Sequence, residues 1–158
     1  MNSDYAFVSR WPVALSRERL WDVVEDLLAS DNPLVWWPSV QVSDYDGSAM
    51  RVRVRSALGY AVTFTMADLA TRRPDSLGFT ASGDLQGSGN VSFVPDGPAA
   101  CVVVIDWRVT TRRRWMRRSA WLLRPLFVAG HHLVMRQGRR HLVAWLVQRG
   151  SRGTPDIV

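Results

Sequence analysis

Residues 101–148 read CVVVIDWRVTTRRRWMRRSAWLLRPLFVAGHHLVMRQGRRHLVAWLVQ, and within them one hydrophobic period gives way to another. Up to Val109 every second residue is apolar: Cys101, Val103, Ile105, Trp107 and Val109 share one face of a long strand. Asp106 falls on the other face, toward solvent. From Trp115 to Gln148 the period becomes helical. Leu123, Phe127, His131, Val134, Met135, Gly138, Leu142 and Trp145 recur at i, i+4, i+7 and collect on one stripe. Pro125 is expected to kink this helix or to begin its main segment.

Working outward toward the N-terminus, the period of two returns repeatedly. Met50, Val52 and Val54 alternate with Arg51, Arg53 and Arg55. Tyr60, Val62, Phe64 and Met66 alternate with Ala61, Thr63 and Thr65. Residues 76–82 contain Leu77 and Phe79, and 87–94 are glycine-rich at their start. Residues 40–45 carry a fainter strand signal, and 4–11 a clear one. Asp46-Gly47, Leu58-Gly59, Arg73-Pro74-Asp75, Gly83-Asp84 and Pro95-Asp96-Gly97-Pro98 mark hairpin turns. One amphipathic helix interrupts the strands. Ser16 is placed as its N-cap, Leu20, Val23, Val24, Leu27 and Leu28 form its apolar face, and Asp31-Asn32-Pro33 end it.

The order is strand, helix, about six antiparallel strands, then one long helix. An antiparallel sheet with one wet face and one face covered by a helix satisfies both periods. The expected fold is α+β: a helix-grip, with a curved antiparallel β-sheet wrapped around the long C-terminal α-helix. A curved sheet does not press flat on a straight helix, so an internal cavity is expected between them. We read residues 1–149 as one domain and 150–158 as a flexible tail.

The chain of 158 residues is 47% hydrophobic and 22% charged, as an ordinary globular domain is. The N-terminus lacks the layout of a signal peptide and no stretch is long enough to span a membrane, so a cytoplasmic location is expected. Cys101 is the only cysteine and sits on an apolar strand face, which reads as buried and inert. The net charge is +6 and all 20 basic residues are Arg. Codon bias is the plain reading of that choice.

In this order, Ser16–Asp26, Trp36-Trp37-Pro38, the run Gly83–Gly89, Asp106–Thr110, and Arg124-Pro125-Leu126-Phe127 with His131, Val134, Met135 and Arg136 resemble the START-related SRPBCC superfamily. The likeness is to its bacterial polyketide cyclase/dehydrase-like branch. It covers roughly Phe7 to Leu142. It implies the helix-grip fold and a cavity for an apolar molecule, but not an activity, because members range from cyclases to lipid carriers. Relatives often carry Asn-His where this chain has Gly130-His131.

His131 points with Phe127, Val134 and Met135 toward the sheet. There it would orient a ligand, act as an acid or base, or simply be a core histidine. Trp37, Tyr60, Phe64, Phe79 and Trp107 are expected to wall the cavity together with Phe127, His131 and Met135. Asp84 reads as closing a turn. The glycines of Gly87-Ser88-Gly89 are read as permitting curvature or a bulge. His131, His132 and His141 do not share a face, so no metal is expected, and no cofactor motif is visible.

Arg112, Arg113, Arg114, Arg117, Arg118 and Arg124 precede or open the last helix, where cations oppose its dipole. Trp115 and Trp121 interleave with them, as in interfacial segments. The expected partner is one hydrophobic small molecule, a lipid or polyketide-like metabolite, bound by a monomer or homodimer. Two other readings are a cyclase or dehydratase and a basic module docking on anionic membrane or nucleic acid. No specific nucleic-acid recognition is expected.

Overall fold

A computed structural model describes residues 5–112 and 114–152. Arg113, the side chain of Trp115 and the end of the expected tail lie outside the described residues. The chain runs β1 (Tyr5–Val13), α1 (Arg17–Leu28), β2 (Val40–Ser43), β3 (Met50–Arg55), β4 (Ala61–Arg72), β5 (Ser76–Gly83), β6 (Leu85–Pro95), β7 (Cys101–Thr111), α2 (Arg114–Arg118) and α3 (Ala120–Arg152). The strands form one curled antiparallel sheet in the order β1-β7-β6-β5-β4-β3-β2, with α3 across its concave face. This is the expected helix-grip arrangement.

The elements form for the reasons their sequences suggest. Ser16 caps α1, its hydroxyl accepting the Arg19 N–H at 3.4 Å. Leu20, Trp21 and Leu27 of α1 are buried while its acids stay outside. Val52, Cys101 and Val109 are among the most deeply buried residues. Asp106 lies on the outer face and holds Arg108 at 3.0 Å.

The Gly83-Asp84 corner ties three strands together. The Asp84 N–H donates to the Thr63 carbonyl at 3.0 Å, and its carboxylate accepts the Thr63 N–H at 2.9 Å. Its carbonyl accepts from Arg112. Gly87 and Gly89 act through space rather than through a bulge. A Cβ on Gly87 would lie 1.9 Å from the Arg108 carbonyl oxygen of β7. One on Gly89 would lie 2.3 Å from the Phe79 ring, which crosses the bare backbone there. The bulge sits instead in β4, between Ala67 and Ala70, where Asp68 has a φ of 53°.

Four boundaries differ from expectation. β2 stops at Ser43, because Asp44 turns to a φ of 54° and Asp46 closes the next turn on Ser48 and Ala49. β4 begins after Tyr60 and continues past its bulge to Arg72. The helical break falls at Ser119, not at Pro125. The Ser119 carbonyl accepts from Leu122 and Leu123, opening α3 there. Pro125 sits inside α3 and removes one bond, to the Trp121 carbonyl. Finally, α3 runs on to Arg152, past the expected start of the tail at Gly150.

Candidate functional site

Between the concave face and α3 lies a cavity of about 280 Å³, near the lower end of ligand pockets, roughly 300–1,000 Å³. Residues of two packing centres border it. One gathers Val52, Phe64, Val109 and Phe127; the other gathers Trp11, Trp21, Phe93, Met135 and Leu142.

All eight residues picked from the sequence border this space. Phe64 of β4 and Phe79 of β5 both lean on Trp107 of β7, each with ring centroids 5.6 Å apart, and make one aromatic wall. Phe127, His131 and Met135 line it from α3. Trp37, in the segment before β2, closes another side. It stacks on Trp36 at 5.1 Å and meets Trp11 edge-on at 5.6 Å. Gly138 makes this possible, since a Cβ there would lie 2.5 Å from the Trp37 ring. Tyr60 packs on Phe127 at 5.9 Å.

Among the described residues the lining contains no Asp, Glu, Arg or Lys. Its polar groups are few. The Tyr60 hydroxyl donates to the Phe127 carbonyl at 3.3 Å and shares a hydrogen bond with Ser56. Burial raises its pKa, only partly opposed by Ser56, so it stays a phenol. His131 stacks on Phe7 with ring centroids 3.8 Å apart. Burial, followed by the neighbouring His132, pulls its pKa down to about 4, so the ring is neutral at neutral pH. The His131 Nε2 and the Trp37 Nε1 are both buried without a hydrogen-bond partner. Both are covered by adjacent atoms.

Such a site binds apolar surface and offers little chemistry. Among the described residues the one other ionisable group of the lining is the Tyr60 phenol, which stands against Gly130 and is held as described above. Among the described residues no group of three His, Cys, Asp or Glu side chains could hold a metal ion. Cys101 is buried, and desolvation raises its thiol pKa.

Sequence reasoning missed part of the lining. Trp11 belongs to it, as do Leu20, Val23, Val24 and Leu27 of α1. The α1 stripe was legible, but it reads equally as core. Ser56 gave no signal of its own; it faces Tyr60 across the Leu58-Gly59 turn, its N–H donating to the Tyr60 carbonyl at 2.9 Å.

No family model matches the chain, and no curated protein matches it. Solved structures do. A START superfamily protein from Mycobacterium smegmatis superposes with a TM-score of 0.65 at 17% identity, over 90% of this chain and 97% of that one. Norcoclaurine synthase from Thalictrum flavum gives 0.57 at 12% identity, over 89% and 94%. The di-domain ARO/CYC StfQ of the steffimycin biosynthetic pathway gives 0.56 at 13%, over 86% of this chain and 49% of that one. The chain therefore has the START-like fold of the SRPBCC type. Identities this low establish the fold alone.

Proposed function

We propose that the protein binds, and carries, one hydrophobic small molecule in the cavity, a lipid or a flat polyketide-like metabolite. The observation that supports this most is the composition of the lining: aromatic and aliphatic on every side, uncharged, with its polar atoms already engaged or covered. Apolar burial is worth roughly 25 cal/mol per Å², so a ligand needs no ion pair to be held there. The aromatic wall of Phe64, Phe79 and Trp107 suits a flat ring system. Trp37, Tyr60, Phe127, His131 and Met135 complete the contact set.

This reading treats residues 1–149 as one binding domain acting in the cytoplasm, as monomer or homodimer. Among the described residues no helix is long and apolar enough to cross a membrane. The cyclase or dehydratase reading would require converging acids and bases. His131 is neutral, stacked and covered, which favours binding over turnover.

Native mass spectrometry of the purified chain tests the proposal. The expected spectrum has a second species, heavier by one small molecule, that disappears on denaturation. A single species at the bare-chain mass, even after incubation with a lipid extract and with aromatic polyketides, would overturn it.

A further inference from the structure

The junction of α2 and α3 carries a surface that the cavity does not explain. Trp121 is 82% exposed and Leu122 63%, values unusual for side chains of that size. Leu126 and Leu133 continue the exposed apolar strip along the outer face of α3, at 41% and 43%. Arg112, Arg114, Arg117 and Arg118 all lie exposed around this elbow, while the Arg124 guanidinium packs over the Tyr5 ring of β1, 5.4 Å from its centroid. No Asp or Glu occurs anywhere between Asp106 and Asp156. The acids of α1 are partly occupied elsewhere: Asp22 and Glu25 hold Arg73, and Asp26 holds Arg149.

We propose that this elbow docks the protein on anionic phospholipid bilayers, with Trp121 and Leu122 entering the interface and the surrounding arginines meeting the headgroups. Three occupants can be weighed against the chemistry present. A second copy of the chain would bring one arginine-rich, acid-free helix against another, with no carboxylate to neutralise either. A nucleic acid would satisfy the arginines but has no use for an exposed apolar strip. A bilayer with acidic lipids answers both features, because an indole and leucines belong at the acyl boundary and guanidinium groups bind phosphate. The opposite face of α3 carries Phe127, His131 and Met135 into the cavity. Docked in this way, α3 is the wall between the bilayer and the ligand space.

Flotation with lipid vesicles tests this. Vesicles of phosphatidylcholine containing about 30% phosphatidylglycerol are expected to carry the protein upward at about 0.05 M salt and to release it at about 0.5 M. Pure phosphatidylcholine vesicles should not carry it. Arg117→Gln with Arg118→Gln should weaken binding by about 25-fold, at about fivefold per arginine near an anionic surface. Trp121→Ala should weaken it by about tenfold or more. The pair Leu122→Gln and Leu126→Gln should act in the same direction. These side chains are exposed, so thermal unfolding should stay near wild type in each variant.

The proposal fails if wild type does not float with the acidic vesicles at low salt. It fails too if Trp121→Ala and the Leu122, Leu126 pair both float as well as wild type, since charge alone would then be acting. Tighter binding to duplex DNA than to vesicles, unaffected by Trp121→Ala, would replace the membrane with nucleic acid. A wild-type dimer that Trp121→Ala converts to monomer, without vesicle binding, would replace it with a second copy.

Discussion

His131→Phe is expected to stabilise the protein, by about 1–3 kcal/mol at pH 7 and by roughly 3 kcal/mol more at pH 4. The first part comes from removing a buried Nε2 that has no partner, while keeping a ring stacked on Phe7. The second comes from linkage. In the folded chain His131 takes up a proton only near pH 4, whereas an unfolded histidine does so near 6.5. Between those values the unfolded chain binds the extra proton, so wild type loses stability as pH falls from about 6.5 to 4. Above that window His131 is neutral in both states and adds no slope. Carboxylates titrate in both proteins and cancel in the difference. Urea denaturation of both proteins at pH 7, 5.5 and about 4 measures it. Equal stabilities with equal pH slopes would contradict the neutral, unpartnered His131 described above. The variant should also keep its affinity for an apolar ligand, since a polar ring is exchanged for an apolar one.

Gly87→Ala should cost about 3 kcal/mol or more, and lower the melting temperature by about 10 °C, for the addition of one methyl group. The added carbon would meet the Arg108 carbonyl oxygen, which belongs to the neighbouring backbone and cannot rotate aside. β6 and β7 would have to separate where their pairing is continuous from Leu85 opposite Thr111 to Pro95 opposite Cys101. Gly150→Ala is the matching control. A Cβ there meets nothing within 4 Å, so this change should be neutral or slightly stabilising, by up to about 1 kcal/mol. A Gly87→Ala protein as stable as wild type would show that the β6–β7 approach is looser than this.

The sheet was readable because its strands keep one face apolar. The alternation of Met50–Arg55 survives directly as alternating burial, and in β7 it survives at the two ends, where Cys101, Val103 and Val109 are buried. The cavity wall was readable for the same reason: alternation places Phe64, Phe79 and Trp107 on one face before any pairing is known. Boundaries were less legible where local chemistry outweighs periodicity. Pro125 drew the eye, yet Ser119 opens α3, because a proline in an early turn removes only one bond while serine is a preferred cap. The second half of β4 was lost because Ala67-Asp68-Leu69 bulges and interrupts the alternation. Contacts set by close approach were beyond reach. Nothing near Gly138 announces that Trp37 will lie on it, a hundred residues away along the chain and in contact only once α3 has closed the sheet.

Titration with N-phenyl-1-naphthylamine, a neutral and flat aromatic probe whose fluorescence rises in apolar surroundings, tests the cavity most directly. Its lack of charge keeps it from reporting on the arginines. Wild type is expected to bind one probe per chain, saturably. Val134→Trp, which sends an indole from α3 into the same space, is expected to weaken that binding by about 100-fold or more while the protein stays folded. Saturable binding by wild type that is lost in Val134→Trp is the result this account predicts. Probe uptake that is absent in wild type, or undiminished in the folded variant, would contradict it.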